Sequence, residues 1–318
     1  MSDDLIYKLS LRRKKKGSRL KKIFYLFFIL AVIYIIFNNL ITTPFSLYNP
    51  FSNSQNIPDS KFSKSLEALV QTSLAGSEGI YGIVIKNLKI EEKYSNLEDK
   101  IFDAGSLYKL WVMAETIRQV QNGQLNLDET LSEDIAVLNK DFNIDPDSAE
   151  MQRGTITLTV DQSLNQMITI SHNYAALLLI KKIGLSSIKD FLQNNNLDKS
   201  TVGTGGENPT TTPSDIALFL EKLYKGELAS VEYTQKMMDL LKRQTLNDKL
   251  AKYLPTDSIA HKTGEIGWFS HDAGIIFLDG KDYLIVVLSE TNSPAGAEER
   301  MANLSKAVYE HFQKSTTP

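Results

Sequence analysis

The chain has 318 residues, a formal net charge of −3 and no cysteine. The length suits one large domain with additional segments. The absence of cysteine excludes disulfides, thiolate metal sites, iron–sulfur clusters and a cysteine nucleophile. Apolar residues make up 42% of the chain and charged residues 23%, which are ordinary values for a globular protein and exclude a largely disordered or fibrous chain.

The net charge is distributed unevenly along the chain. Residues 1–22 contain nine lysines and arginines and two aspartates, so this segment carries +7 and the remainder carries −10. Every residue from Ile23 to Phe37 is apolar, and Leu40 and Ile41 follow after Asn38 and Asn39. As a helix at ~1.5 Å per residue, this segment spans ~28 Å, close to the ~30 Å hydrocarbon core of a bilayer. A basic flank before such a run is the positive-inside pattern.

We therefore predict a cytoplasmic tail at residues 1–22 and a transmembrane signal anchor at residues 23–41. A cleaved signal peptide is the alternative, but residues 38–50 contain no Ala-x-Ala-like cleavage site. Both interpretations place the remainder outside the cytoplasm. Beside a membrane span the basic cluster favours anionic lipid, and no nucleic-acid partner is expected. Residues 42–60 are rich in Ser, Asn and Pro and are typical of a linker, which leaves residues 61–318 as one domain.

The domain shows a mixed pattern of helices and strands. In chain order, the sequence predicts a helix over residues 61–74, two short strands within 79–94 around Asn87, a long helix over 106–122, a second apolar helix over 173–183, a third that begins at Thr212-Pro213-Ser214-Asp215, strands over 273–278 and 283–288, and a closing helix over 295–313. Strands come first and last, with helices between them. The fold class is therefore α+β: an antiparallel sheet formed by N- and C-terminal strands and flanked by helices, plus an all-helical subdomain.

Three short motifs follow one another in this domain. They are Ser106-Leu107-Tyr108-Lys109 (S-x-x-K), Ser171-His172-Asn173 (S-x-N) and Lys262-Thr263-Gly264 (K-T-G). Each is weak alone, because an isolated motif of this kind is more often a helix cap, a solvated residue or a turn. S-x-x-K and S-x-N both recur elsewhere in the chain, whereas K-T-G occurs once. The residues around the motifs strengthen the interpretation that the three belong to one site, since Ser106 and Ser171 each precede an apolar helix and K-T-G precedes a pair of strands.

With these motifs and flanks, the sequence resembles the serine β-lactamase and penicillin-binding protein superfamily, specifically its class A β-lactamase-like branch. The segments ISHNYAALLLIKKIG, TTTPSDIALFLEKLYKG, LPTDSIAHKTGEIG and HDAGIIF also resemble that family. The similarity extends from about Lys61 to the C-terminus. It implies a serine hydrolase that forms an acyl-enzyme with a β-lactam or a cell-wall peptide.

The chemistry explains the residue types. A serine hydroxyl needs a base within hydrogen-bond reach, and Lys109 lies three residues after Ser106, on the same helix face. Lysine acts as a base only if its pKa falls, which burial and the nearby Lys262 cation both favour. The start of a helix also places a positive dipole end at Ser106.

The resemblance implies the remaining roles. Ser171 relays a proton to the leaving nitrogen, and Asn173 binds the substrate amide and holds Lys109. Lys262 and Thr263, with Gly264 in the same motif, bind a substrate carboxylate. The backbone N–H groups of Ser106 and Glu265 form an oxyanion hole.

The sequence departs from the family in two places. The middle motif is S-H-N instead of S-D-N. The segment from Asn194 to Thr212 contains no E-x-x-L-N, the Ω-loop motif whose glutamate activates the deacylating water. Glu207 is the only glutamate there and is a poor match, and Asp198 is a poorer one. We therefore expect an acyl-enzyme that hydrolyses β-lactams slowly. A D-Ala-D-Ala carboxypeptidase, or a non-catalytic β-lactam receptor, is the alternative.

Other residues receive structural interpretations or remain open. The four histidines have no metal-binding spacing, so no metal and no other cofactor is expected. His261 and His271 flank the site strands, where either a structural role or a substrate-orienting role in the cleft is open. Trp111 is predicted to lie in the core. Trp268 is predicted to pack in the interior, with a position at the cleft mouth as the alternative. The oligomeric state is left open.

Overall fold

The computed structural model describes residues 63–90, 92–203 and 207–315. The chain divides into two units, Met1–Pro58 and Asp59–Pro318, and every described residue lies in the second. The predicted cytoplasmic tail, signal anchor and linker therefore lie outside the described residues. Within the described part of the chain, no helix combines the length and apolar character needed to cross a membrane.

A five-stranded antiparallel sheet organises the domain. Its strands are β1 (Ile80–Asn87), β2 (Lys93–Asn96), β7 (Ile259–Ile266), β8 (Phe269–Ile276) and β9 (Tyr283–Glu290), and their order across the sheet is β2-β1-β9-β8-β7. In the centre of the sheet, Val286 of β9 is paired with Val84 of β1 on one side and with Ala273 of β8 on the other. The first strands of the domain therefore pair with the last, as the sequence predicts.

Helices cover both faces of this sheet. In chain order they are α1 (Lys64–Ser73), α2 (Lys109–Gln121), α3 (Ile135–Asp141), α4 (Val160–Thr169), α5 (Asn173–Ile183), α6 (Leu185–Asn194), α7 (Pro213–Lys225), α8 (Val231–Lys242) and α9 (Pro294–Lys314). Two short antiparallel ribbons lie among them, β3 (Phe102–Asp103) with β6 (Thr210–Thr211), and β4 (Thr130–Asp134) with β5 (Thr155–Thr159).

The alternation of side chains on the strands creates two cores. On β9, Tyr283, Ile285 and Val287 join the core that contains apolar residues of α1 and α9. Leu284, Val286 and Leu288 point to the opposite face and join the larger core built by α2 and α4 to α8. Because both faces of the strand are covered, it forms a continuous apolar run. The α+β architecture predicted from the sequence is confirmed.

The predicted strand after Asn87 is shorter than expected. The Asn87 side-chain oxygen accepts hydrogen bonds from the backbone N–H groups of Lys89 (2.8 Å) and Ile90 (3.0 Å). This local turn removes those residues from the ladder, so β2 begins only at Lys93.

The two tryptophans differ in their surroundings. Trp111 on α2 is 1% exposed, so the prediction of a core position is confirmed. Trp268 is 63% exposed, so the prediction that it packs in the interior is wrong. It lies with Gly267 in the tight connection between β7 and β8, where the chain has left the sheet and no layer covers the ring.

Substitution of two of the buried tyrosines, Tyr283 and Tyr174, is expected to change the stability in opposite directions. The Tyr283 hydroxyl is buried and has no hydrogen-bond partner among the described residues, whereas the Tyr174 hydroxyl donates to Asn139 Oδ1 at 2.8 Å and accepts from Met151 N at 3.2 Å. Removing an unsatisfied hydroxyl relieves a desolvation penalty, and removing a satisfied one loses its bonds. We expect Tyr283→Phe to raise the free energy of unfolding by about 1 kcal/mol and Tyr174→Phe to lower it by a similar amount, measured by urea denaturation. A loss of stability in Tyr283→Phe would contradict this.

Candidate active site

Ser106 lies where the chain enters α2. Residues Gly105–Tyr108 form a 3₁₀ turn and Lys109 begins the α-helix, so the predicted helix is present but starts with a tighter turn. In a 3₁₀ turn, side chains three residues apart lie one above the other, which puts Ser106 and Lys109 side by side. The Ser106 side chain is half-buried.

Glycines bring this turn against the edge strand β7. A Cβ atom on Gly105 would lie 2.7 Å from the backbone nitrogen of Glu265, and one on Gly264 would lie 2.8 Å from the carbonyl oxygen of Ala104. Gly105 also has φ +48°, a conformation that favours glycine. The two glycines therefore allow a close approach that places the Ser106 backbone beside that of Glu265, the pair predicted to form an oxyanion hole.

The Lys109 ammonium group is fully buried and hydrogen bonded. Nζ donates to the carbonyl oxygen of Ser171 at 2.5 Å, to its hydroxyl at 3.2 Å and to Oδ1 of Asn173 at 2.6 Å. The first two predicted motifs therefore meet directly. Among the described residues, these oxygens, and not the Ser106 hydroxyl, receive the Lys109 hydrogen bonds.

The Ser171 hydroxyl also contacts the third motif. Lys262 Nζ donates to it at 3.0 Å and to the carbonyl oxygen of Thr263 at 2.9 Å. Ser171 holds this position with φ +59°, a left-handed conformation that is uncommon for a residue with a side chain and is typical of functional sites. One hydroxyl thus lies between two lysine side chains, each of them fully buried.

Burial sets the protonation of these lysines. Removal from water lowers the pKa of Lys109 to about 7, against the opposing effect of the Glu150 carboxylate. Removal from water, followed by repulsion from Lys109, lowers the pKa of Lys262 to about 7, and the Asp272 carboxylate opposes the shift. A neutral lysine is therefore accessible at neutral pH, and the two groups titrate together because each affects the other.

His172 explains the departure from S-D-N. It is the N-cap of α5, and its Nδ1 accepts a hydrogen bond from the backbone N–H of Ala175 at 3.2 Å. An aspartate oxygen performs the same capping role at a helix start. Burial lowers the pKa of His172, which favours the neutral ring whose Nδ1 can accept.

Asn173 links Lys109 to a carboxylate that sequence reasoning missed. Its Oδ1 accepts from Lys109, while its Nδ2 donates to Oε1 of Glu150 at 2.5 Å. Glu150 lies in the irregular segment between α3 and β5 and belongs to no motif. A single loop glutamate 23 residues before its partner carries no signal that would have revealed it.

Thr263 and Glu265, which immediately follows the K-T-G motif, form the edge of the site. Thr263 is 3% exposed in β7, between Lys262 and Gly264. The Glu265 side chain is mostly exposed and is paired with the buried Lys249 ammonium group at 2.7 Å. Lys249 also donates to the carbonyl oxygen of His271 at 3.3 Å. Sequence reasoning missed Lys249 as well, because it belongs to no motif.

The two histidines beside the site have structural roles. His261 and His271 are both buried. His261 contacts Asp272 through Nδ1 at 2.9 Å and Asn247 through Nε2 at 3.1 Å. His271 accepts from the N–H of Ser289 and donates to the carbonyl oxygen of Asp103 at 2.7 Å.

Burial lowers the pKa of His271 to about 4, so the ring stays neutral at physiological pH. Neither histidine reaches the surface of the cleft, so their burial supports the structural alternative. His271 instead holds the segment that leads into Ser106.

The segment between α6 and α7 packs against the residues that lead into the Ser106 turn. Ser200 donates to Asp215 at 2.8 Å, Asn208 donates to Asp103 at 2.8 Å, and the N–H of Ala104 donates to the carbonyl oxygen of Pro209 at 2.8 Å. Glu207 and Asp198 are exposed, and neither carboxylate makes a hydrogen bond or an ion pair with a described residue. The segment thus supports the Ser106 turn without directing a held carboxylate toward it.

Known proteins are similar to this chain in sequence and in fold. Residues 61–312 match the family model described as the Beta-lactamase enzyme family. The curated protein Beta-lactamase VEB-1 of Pseudomonas aeruginosa is 22% identical over 275 residues, which cover 78% of this chain and 90% of that protein.

Two solved structures are also similar. The structure of PBP-A is 25% identical, with a TM-score of 0.71, and the match covers 82% of this chain and all of that one. A beta-lactamase from Sphaerobacter thermophilus is 22% identical, with a TM-score of 0.69, and the match covers 80% and 98%.

The His172 cap predicts a pH-dependent stability. Because the folded-state pKa is lowered, the cap contributes above the unfolded value of 6.5 and is lost as the pH falls through the folded value. We expect His172→Ala to lower the free energy of unfolding at pH 8 by about 1 kcal/mol and His172→Asp to retain most of it. Chemical denaturation at pH 8 and pH 5 should show a smaller pH effect in His172→Asp than in the wild type. An equal pH effect in both proteins would refute the assignment.

Proposed function

The chain belongs to the Beta-lactamase enzyme family, and from that premise we propose that it is an active-site-serine hydrolase that forms an acyl-enzyme at Ser106 with β-lactams and releases the product slowly. One observation supports this proposal above the others. The ammonium groups of Lys109 and Lys262 both reach the hydroxyl of Ser171, beside the turn that carries Ser106.

Acylation begins with the neutral form of Lys109. This amine takes the proton from the Ser106 hydroxyl while Oγ attacks the carbonyl carbon of the β-lactam amide. The carbonyl oxygen becomes negative in the tetrahedral intermediate, and the N–H groups of Ser106 and Glu265 stabilise it. One such donor is worth about 3–4 kcal/mol in the transition state. The close approach at Gly105 supports this placement.

The leaving nitrogen then receives a proton. In the proposed path, Ser171 gives its hydroxyl proton to that nitrogen as the carbon–nitrogen bond breaks, and its oxygen is resupplied from the lysine side chains that contact it. Lys262 and Thr263 bind the carboxylate of the substrate, and Asn173 binds the amide of the acyl side chain. The product of this step is an ester between Ser106 Oγ and the opened ring.

Slow release follows from the segment between α6 and α7. Hydrolysis of the ester needs a water that is activated by a base, a contribution of about 100- to 10,000-fold. The family motif E-x-x-L-N is absent from residues 194–212, and Glu207 and Asp198 are exposed carboxylates without hydrogen-bond partners among the described residues. The acyl-enzyme is therefore proposed to persist.

A second candidate is a carboxypeptidase that acts on D-Ala-D-Ala peptides of the cell wall. It is favoured by the 25% identity to PBP-A over the full length of that protein, a variant of which was solved as an acyl-enzyme complex with penicillin G. Both candidates share the Ser106 ester. The basic cluster and apolar run of residues 1–41 support a setting for either at the outer surface of the cytoplasmic membrane.

The first prediction concerns the adduct. Treatment of the purified domain with penicillin G should add the mass of one intact penicillin, on the Ser106 peptide, and Ser106→Ala should remain unmodified. Intact-mass spectrometry and peptide mapping measure this. Nitrocefin should give a burst equal to the enzyme concentration, followed by slow turnover.

Two outcomes would contradict this prediction. Fast and sustained nitrocefin hydrolysis would show that a deacylation base is present. Absence of both an adduct and turnover would refute the assignment of the catalytic serine.

The second prediction concerns the pH dependence of acylation. A base with a pKa of about 7 must lose its proton, so the acylation rate should rise about tenfold per pH unit below pH 7 and level off near pH 8. Lys109→Arg keeps the positive charge but cannot be deprotonated, so acylation should fall at least about 100-fold at every pH. Stopped-flow measurement of the nitrocefin burst provides both values. A rate that does not change between pH 6 and 8 would exclude Lys109 as the base.

A further inference from the structure

The Glu150 carboxylate is held at the entrance of the site. Its Oε1 accepts from Nδ2 of Asn173 at 2.5 Å, and the other end of that amide accepts from Lys109. Glu150 is exposed, and among the described residues no lysine, arginine or histidine forms an ion pair with it. A negative charge is thus fixed beside the catalytic lysine and left accessible from solvent.

The backbone next to Glu150 is anchored, so this placement is built into the fold. The hydroxyl of the buried Tyr174 accepts from the N–H of Met151 at 3.2 Å and donates to Oδ1 of Asn139 at 2.8 Å. The amide of Asn139 in turn donates to the carbonyl oxygen of Met151 at 2.8 Å. Tyr174 directly follows Asn173 on α5. The same helix therefore positions Glu150 and the side chain that it contacts.

The negative charge of Glu150 acts on three nearby side chains. Its charge raises the pKa of Lys109 against the larger effect of burial, and it does the same at His172. At Tyr108 it adds to the effect of burial and raises the pKa of the phenol.

Asn173 connects this charge to the substrate. In the proposed function, the Asn173 amide nitrogen donates to the carbonyl oxygen of the acyl side chain. That nitrogen has two hydrogens, and Glu150 occupies one, which leaves the other for the substrate. Two acceptors bound to one amide nitrogen lie ~5 Å apart. A group on the carbon next to the substrate carbonyl therefore comes within ion-pair reach of Glu150.

We propose that Glu150 selects acyl donors that carry a cationic amine on the carbon adjacent to the amide carbonyl, and that it disfavours those with an anion there. The inference rests on the proposed function, because it requires acylation of Ser106. It makes Glu150 a specificity-determining residue, since its charge acts on a substituent outside the bonds that form and break.

Three penicillins test this inference, because they differ mainly in charge at that one carbon. Ampicillin carries an ammonium group, penicillin G carries hydrogen, and carbenicillin carries a carboxylate. An α-amino group is mostly protonated at pH 7. The second-order rate constant for acylation of Ser106 is measured at pH 7 by intact-mass spectrometry for the wild type and for Glu150→Gln. For each protein, the rate constant for one penicillin is divided by the rate constant for another. Comparing this ratio between the wild type and Glu150→Gln cancels the intrinsic reactivities of the penicillins.

We expect the change to Gln to reduce the ampicillin to penicillin G ratio about 5-fold and to raise the carbenicillin to penicillin G ratio by a similar factor, the range for one accessible ion pair. Glu150→Lys should shift both ratios further in the same direction. The control is Glu227→Gln, which removes the same charge at an exposed residue in the connection from α7 to α8. Ser230 in that connection contacts Gln121, at the far end of α2 from Ser106. This control should keep the wild-type ratios.

The failures are distinguishable. If the penicillins acylate Ser106 but Glu150→Gln leaves both ratios unchanged, the inference is overturned while the proposed function stands. If Glu150→Gln slows release of the adduct and leaves the ratios unchanged, Glu150 is a deacylation base and the selectivity role is refuted. If none of the three penicillins modifies Ser106, the proposed function and the inference fail together.

Discussion

The site depends on two ammonium groups that are buried beside one hydroxyl. Lys109 and Lys262 have no exposed surface, and the Ser171 oxygen lies between them. Burial of a single ammonium group is costly, and a like charge nearby adds to the cost. The fold brings together three separate segments to achieve this arrangement: the start of α2, the turn before α5 and the edge strand β7. Each segment shows a local feature that permits the contact, and the left-handed Ser171 and the glycines at the β7 contact are the clearest.

Two carboxylates near the lysines reduce the free-energy cost of burying the ammonium groups but do not remove it. Asp272 is buried and its charge favours the protonated form of Lys262, while Glu150 does the same for Lys109 from the solvent side. Among the described residues, Lys109 and Lys262 donate their hydrogen bonds to Ser171, Asn173 and Thr263, and to neither of these carboxylates. A direct ion pair would stabilise the ammonium form and raise the lysine pKa. Without one, burial lowers the pKa of each lysine to about 7.

The sequence predicted the residues that obey a motif, because the chemistry restricts both their type and their spacing. Lys109, Ser171, Asn173 and Lys262 share one hydrogen-bond network beside the turn that carries Ser106. Glu150 and Lys249 were missed, since they act through tertiary contacts with Asn173 and Glu265 that no local pattern encodes. His261 and His271 were left open for a related reason. The sequence does not show whether a histidine beside a site strand faces the cleft or the interior, because the register of the sheet determines the side on which the residue lies.

The pairing of β1 with β9 has a consequence for how the domain folds. Ile80 lies opposite Glu290, and the pairing runs along the whole strand to Asn87 and Tyr283. The paired residues are 196 to 210 positions apart in the chain, and contacts of such separation slow folding because a long loop must close first. The sheet, with the β7 edge that supports the Ser106 turn, can be completed only after the last strand has emerged from the ribosome. The helices of the larger core can form earlier from local contacts, so a partly synthesised chain has apolar helices without the sheet that covers them. Such a chain exposes apolar surface and is prone to aggregation, and a truncation that removes β9 leaves a sheet that cannot be completed.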